Sequence, residues 1–316
     1  MKRKVWTLLL MAVMTIILTA CNAADNAAAG TEEGKNEEVV KIAYLPITHA
    51  FPVFETAKEL ETKEGIKVEL VKYGSWPELL DALNTGRVDG ASVLIELAMK
   101  SKEEGVGIKA VALGHRDGNV IVVSENIDKI EDLQGKTFAI PHRQSSHNIL
   151  INEALEKAGL NIDDLTITEL APAEMPAALA SGQIDGYCVA EPFGAIAVSL
   201  NAGKVLYSSE ELWQDSLCCG LVLTDDFLNN RRETAREFVD AYKAAGNHLT
   251  AEQAKEIGKE YLNQDEEVLD ISLQWISYQD LTISEEIYDS LVERVEKYGL
   301  SENPPAYEDF VDNLQD

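Results

Sequence analysis

The chain has 316 residues, with 27 Lys and Arg against 55 Asp and Glu and a formal charge of −28 at neutral pH. So acidic a surface excludes an electrostatically driven nucleic-acid binder. The length suffices for one large or two modest domains.

The start of the chain reads as a targeting segment. Lys2, Arg3 and Lys4 precede an apolar run from Val5 to Ala20 that falls short of the roughly 20 residues a membrane span needs. A basic start, an apolar stretch and small residues before the cut describe an export signal. Leu18-Thr19-Ala20-Cys21 resembles a bacterial lipobox, so residues 1–20 are expected to be a lipoprotein signal peptide and Cys21 the lipidated residue. Residues 21–37 are small, polar and acidic, and read as a flexible tether. Cys188, Cys218 and Cys219 are the other thiols. An odd number in apolar runs fits buried cysteines rather than a disulfide framework; a Cys188 bridge to Cys218 or Cys219 is the alternative. The Cys and His spacing shows no metal-ligand pattern, and no cofactor motif stands out.

Val39 to Leu45 opens the fold as a strand closed by Pro46, with His49 in the loop beyond it. A helix is expected from about Val53 to Lys63 and a second strand over Ile66–Leu70. Ser75 then caps another helix, with Pro77 in its first turn and Glu78 three residues after the cap. Asn119–Val123 reads as a strand leaving the first lobe. Phe138–Ile140 is a short buried strand ended by Pro141, and Ile149, Leu150, Leu155 and Ala158 follow at helical spacing. That order puts Ser145, Ser146 and His147 at the carboxyl end of a strand, where ligands bind in open α/β sheets. They also stand at a helix N-terminus, whose N–H groups suit an anion. A plain N-cap is the alternative for either serine. Strands are expected at Leu165–Leu170, Tyr187–Val189, Val205–Tyr207 and Cys218–Leu223, the last returning to the first lobe. From Asp225 onward the pattern is helical.

One motif occurs twice. Gly86-Arg87-Val88-Asp89-Gly90 ends a helix and opens a strand, as does Gly182-Gln183-Ile184-Asp185-Gly186. The flanking elements match as well, which predicts two lobes on one α/β plan: residues 38–124 with 221–316, and residues 125–220.

Together these features resemble the substrate-binding lipoproteins of ABC importers. Tyr44 to Ala50, Gly74-Ser75-Trp76 and Ile184 to Phe193 resemble the nitrate, sulfonate, taurine and thiamine-pyrimidine branch. Pro141 to Leu150 is similar to the nitrate and bicarbonate binders. The resemblance implies a two-lobed periplasmic-binding-protein fold of type 2, with the ligand cleft between lobes and two chain crossings. It implies a monomeric, extracytoplasmic, lipid-anchored receptor that hands a small anion or zwitterion to an ABC permease and its ATPase, without catalysis. Two alternatives are a binder of a planar thiamine pyrimidine precursor and a thiamine-pyrimidine synthase-like enzyme, which shares the fold and uses a Cys-rich segment that Cys218-Cys219 echoes. A sensor or adhesion lipoprotein is the remaining class.

The expected ligand residues are His49, Trp76, Arg143, Ser145, Ser146, His147, Tyr187 and Glu191. His147 would donate from a ring nitrogen. Trp76 would form an apolar wall, or pack under its own helix. Glu191 is unfavourable beside an anion unless it orients a donor, holds the hinge or binds a cationic group. Arg143 would offset it by turning inward, or stay exposed. Arg116 would pair with Asp117 or edge the cleft.

Overall fold

The computed structural model describes residues 38–62 and 65–314. The signal peptide, the lipidated Cys21 and the tether lie outside the described residues. The first lobe alternates strand and helix: β1 (Glu38–Tyr44), α1 (Phe51–Glu61), β2 (Ile66–Lys72), α2 (Trp76–Asn84), β3 (Gly90–Leu94), α3 (Ile95–Glu103) and β4 (Ile108–Leu113). A two-residue strand, β5 (Arg116–Asp117), leads into the second: β6 (Asn119–Val123), β7 (Thr137–Ile140), α4 (Ser146–Lys157), β8 (Thr166–Glu169), α5 (Met175–Ala180), β9 (Gly186–Ala190), α6 (Phe193–Ser199), β10 (Lys204–Ser208) and α7 (Ser209–Leu212). The chain returns through β11 (Cys219–Thr224).

The two sheets have the same plan. The first runs β2-β1-β3-β11-β4 and the second β8-β7-β9-β6-β10. In each, the first three strands are parallel and the fourth is antiparallel to both neighbours. The repeated motif does the same work twice. Asp89 Oδ2 accepts from the Lys41 N–H at 2.7 Å, midway along β1 and one residue before β3 pairs with it. Asp185 Oδ2 accepts from the Thr137 N–H at 3.0 Å, at the start of β7. The two aspartate carbonyls accept from Thr224 N–H and Ser124 N–H, each at 2.9 Å. Each carboxylate thus satisfies a strand N–H one residue before the third strand begins to pair.

The fourth strands are exchanged between lobes: β11 comes late in the chain to complete the first sheet, and β6 comes early to complete the second. This corrects one sequence expectation. Asn119–Val123 pairs with β9 and β10 and belongs to the second sheet. The first crossing therefore falls at residues 114–118, before that strand. A buried five-residue apolar run reads alike in either sheet, so periodicity could not assign it.

The helices α8 (Asp225–Asn230), α9 (Arg232–His248), α10 (Ala251–Leu262) and α11 (Glu266–Ser272) follow, with the short strand β12 (Ile276–Ser277) pairing with β5. Helices α12 (Glu285–Lys297) and α13 (Tyr307–Phe310) close the chain. This region touches both lobes. Tyr242 on α9 donates its hydroxyl to Leu113 O at 3.1 Å. On α12, Arg294 and Lys297 pair with Glu153 and Glu156 of α4, at 3.3 Å and 2.7 Å. Arg116 is held by the carbonyls of Gln279 and Asp280 and by the carboxylates of Asp280 and Asp215, rather than by Asp117. It pins the first crossing to the C-terminal segment.

Candidate functional site

The lobes meet where several strand ends converge. After β1 the chain bends into a short 3₁₀ turn that carries Thr48 and His49. Thr48 reaches across to the second lobe, its N–H and Oγ1–H both donating to Glu191 O, at 2.9 Å and 3.0 Å. His49 is fully buried, and its Nε2 faces Gly118 O at 3.0 Å on the first crossing. Gly118 has φ +83°, and an added Cβ would lie 2.8 Å from Ile276 and 3.1 Å from His49 Nε2. Only glycine permits that approach without strain.

His115 lies on the same crossing, stacked on His49 with ring centroids 3.4 Å apart. The second crossing supplies Cys218 and Cys219. Backbone bonds fix them: Cys218 O accepts from Ile95 N–H at 2.8 Å, and Cys219 O accepts from Gly114 N–H at 2.7 Å. Cys218 Sγ lies 3.8 Å from His49 Nδ1, 3.8 Å from Cys219 Sγ and 3.6 Å from Asn119 Oδ1. All of these side chains are buried.

The second lobe contributes the N-terminus of α4. Ser145 is its N-cap: Oγ accepts from Asn148 N–H at 3.3 Å and donates to His142 O at 2.6 Å. Both capacities go to the chain itself, which is the N-cap alternative of the sequence analysis. Ser146 and His147 are different. Both are fully buried, and neither the Ser146 hydroxyl nor either His147 ring nitrogen has a hydrogen-bond partner among the described residues. Trp76 Nε1, Ser92 Oγ, His115 Nδ1 and Asn119 Nδ2 are buried and unpartnered in the same way. Such groups are rare in folded proteins and mark sites where a ligand supplies the partner.

The electrostatics are those of a dry pocket. Burial lowers His147 to about 4; the Cys218 thiol opposes the shift and His49 adds to it. Burial and the adjacent His49 likewise lower His115 to about 4. Both imidazoles are therefore neutral at pH 7. Burial alone would raise the Cys218 thiol, but the Cys219 thiol and the imidazoles of His147, His115 and His49 outweigh it and hold Cys218 low. Cys219 is pushed up by burial and then by Cys218. Glu96, at the start of α3, is raised chiefly by burial and then by Cys218. The N–H groups of Glu96 and Ser146 face its carboxylate and pull the other way, without either oxygen reaching normal hydrogen-bond geometry.

The remaining expected ligand residues are placed elsewhere. Arg143 is exposed and turns to the second sheet, its N–H donating to Glu169 Oε1 at 2.5 Å and its guanidinium facing Ile167 O at 3.4 Å. It does not reach Glu191. Tyr187 is buried in β9, with its hydroxyl donating to Phe193 O at 2.8 Å. Glu191 is buried, its Oε2 accepting from Ala195 N–H at 3.0 Å, with the Ser272 hydroxyl nearby. Burial raises it to about 8, so at neutral pH it is a carboxylic acid that locks a turn. Cys188, Cys218 and Cys219 are all free thiols, so the alternative disulfide does not form.

The structure thus brings His49 and His147 together with Ser146, and with four residues the sequence did not assign to the site: Glu96, His115, Cys218 and Cys219. Their positions were legible only as strand ends. Ile95 and Gly114 are bonded through the backbone to Cys218 and Cys219, across about a hundred residues of sequence, which no local pattern reveals.

Comparison with known proteins agrees with the fold. The nitrate import ATP-binding protein NrtC of Synechocystis sp. is 28% identical over 223 residues, covering 63% of this chain and 33% of that protein. The chain thus spans about a third of that relative's length. Among solved structures, a ligand-binding component of an ABC-type import system from Staphylococcus aureus, with zinc bound, is 43% identical at TM-score 0.84, covering 87% of this chain and 97% of that one. The alkanesulfonate-binding protein SsuA from Xanthomonas axonopodis pv. citri, bound to MOPS, is 18% identical at TM-score 0.71, covering 84% and 94%. The fold is the two-lobed one of periplasmic binding proteins. Residues 33–261 match the NMT1-like family, and the chain belongs to it.

Proposed function

We propose that this protein is the extracytoplasmic substrate-binding component of an ABC importer. It closes two lobes on a small solute and presents it to a permease driven by an ATPase. The observation that carries this is the set of buried, unpartnered polar atoms at the junction, with His147 and Ser146 from one side and His115 Nδ1 from the crossing on the other. His115 and His147, held near 4 by burial, are neutral groups suited to binding a solute.

The relatives' names support a small anion or zwitterion such as nitrate, bicarbonate, taurine or another sulfonate, held by neutral donors at the N-terminus of α4. The pyrimidine alternative, stacked on Trp76 or Tyr187 and bonded to Glu191, has less support, because the Tyr187 hydroxyl and Glu191 Oε2 already bond to Phe193 O and Ala195 N–H. The lobes would comprise residues 38–113 with the C-terminal region and 119–212, hinged at the two crossings. The chain would act as a monomer anchored through a lipid on Cys21. A thermal-shift panel of these anions on the purified protein tests the reading. Ligand at a hundred times its Kd should stabilise by about 2.7 kcal/mol. Small-angle scattering should show a smaller radius of gyration at saturation. An unchanged radius with bound ligand would refute hinge closure, and Cys21→Ser protein that remains in the membrane fraction would refute the anchor.

A second ligand class has its own support. The site assembles imidazoles, thiols and buried carboxyls, with no Lys or Arg in the set, and the similar Staphylococcus aureus structure carries zinc. A divalent metal ion is therefore the second reading, and zinc belongs in the same panel.

A further inference from the structure

We propose that His49, His115, Cys218 and Cys219 form a four-ligand nitrogen–sulfur site for one zinc-class divalent ion, built by the first lobe and the two crossings without the second lobe. This rests on the second reading above and goes further, in naming the ligands and the lobe that holds them.

The geometry is that of a tetrahedral ion. One ligand atom from each of the four residues lies within 4.8 Å of all the others. Zinc–sulfur bonds of about 2.3 Å at a tetrahedral angle separate two sulfurs by about 3.8 Å, and with zinc–nitrogen bonds of about 2.05 Å separate sulfur from nitrogen by about 3.6 Å. The observed Cys218–Cys219 sulfur separation is 3.8 Å, and Cys218 Sγ to His49 Nδ1 is also 3.8 Å. These two separations match; the His115 ring, stacked on His49 with Nε2 accepting from Cys219 N–H at 3.3 Å, has to turn for its nitrogen to join the ion.

The tautomer of His49 is already set. Its Nε2–H donates to Gly118 O, leaving the Nδ1 lone pair toward Cys218. A backbone carbonyl holding the far nitrogen of a metal-ligating histidine is a recurrent support for such sites. Two thiolates with two imidazoles select zinc or another thiophilic ion over magnesium or calcium, which prefer oxygen. Ligand exposures of 0% to 1% mean that an ion enters only when the lobes part.

Origin of the ligands gives the proposal its sharper content. His49 follows β1, Cys219 begins β11 of the same sheet, and His115 and Cys218 flank the crossings. No ligand comes from β6 to α7. The ion should therefore bind the open form, and lobe closure should bury it rather than create its site.

The test is cobalt(II) and zinc titration of the full mature protein, reduced and first stripped with chelator. The expected result is one ion per chain, with the visible bands of tetrahedral cobalt and thiolate-to-cobalt charge transfer in the near ultraviolet. His115→Ala and the Cys218→Ser/Cys219→Ser double variant should each weaken binding a hundredfold or more, the double variant losing the charge-transfer band. Cys188→Ala, which removes the third thiol, should keep stoichiometry and spectrum. Circular dichroism and melting of each chelated variant show that it is folded. If zinc binds the wild type and the four-residue variants alike, the ligand assignment is overturned while the metal reading survives. If the reduced wild type binds neither ion, both fall, and the anion panel then stands alone.

Discussion

Glu191 offers a quantitative test of how the junction is built. Its carboxyl is fully buried, accepts one hydrogen bond from Ala195 N–H, and is raised by burial from 4.5 to about 8. The folded state thus holds this proton more tightly than the unfolded chain. Between pH 4.5 and 8 the folded form carries more protons, so stability must fall as pH rises through that window and level off above it. At about 1.4 kcal/mol for each pH unit, the full effect is on the order of 5 kcal/mol, and roughly 3 kcal/mol between pH 5 and 7. Glu191→Gln keeps an acceptor for Ala195 and has no proton to lose. His115 and His147 act in the opposite sense: lowered to about 4, they withdraw stability as pH falls below 6.5. They are present in both proteins and cancel in the difference. Urea unfolding of wild type and Glu191→Gln at pH 5, 6, 7 and 8 should therefore give a stability gap that grows in favour of the variant as pH rises. Parallel curves would show that Glu191 is ionised in the folded state and that the locked-acid account is wrong.

Four further substitutions follow from the geometry. Gly118→Ala forces a side chain into a φ of +83° and toward Ile276 and His49, and should cost about 1–3 kcal/mol in denaturant unfolding. Asp185→Ala removes the acceptor for the Thr137 N–H and Asp89→Ala its counterpart for Lys41; each should cost about 1–3 kcal/mol, and the two should add, because they lie in different sheets. His147→Ala should abolish the anion-induced thermal shift while changing the ligand-free stability by no more than about 1 kcal/mol, since the ring makes no hydrogen bond whose loss would count. A shift that persists in this variant would take His147 out of the anion site.

The lobes were legible because the Gly-x-(Val/Ile)-Asp-Gly motif carries a local mechanism. A left-handed glycine, at φ +68° for Gly86 and +73° for Gly182, ends a helix, and an aspartate ties off the next strand. Both are written in consecutive residues. The α4 loop was legible for the same reason, since the strand, the Ser145 cap and the helical spacing are adjacent. The return of Cys218–Leu223 to the first lobe was legible too; what sequence reasoning missed is that Asn119–Val123 already belongs to the second sheet. Placing β6 and β11 in the opposite lobes brings both crossings together, and that is what puts His115 and Cys218 beside His49 at the start of α3. Cys218 and Cys219 looked inert because each is apolar in its local context, and buried cysteines usually are. Arg143 misled for the converse reason: its position in the loop is right, but its side chain pairs with the sheet edge rather than the junction.

The same junction explains why a ligand should be needed for closure. At the junction Ser146 Oγ, both His147 nitrogens and Asn119 Nδ2 lie buried without partners among the described residues. Each buried polar group left unpaired costs about 1–3 kcal/mol. The interlobe bonds from Thr48 to Glu191 O, at about 0.5–1.5 kcal/mol apiece, return only part of that. The surface ion pairs between α12 and α4 add less than about 1 kcal/mol each. Closure of the bare protein is therefore uphill, and a solute that pairs those atoms only in the closed form has the differential affinity needed to drive it. If the proposed closure holds, a permease that recognises the closed pair of lobes would be reading occupancy.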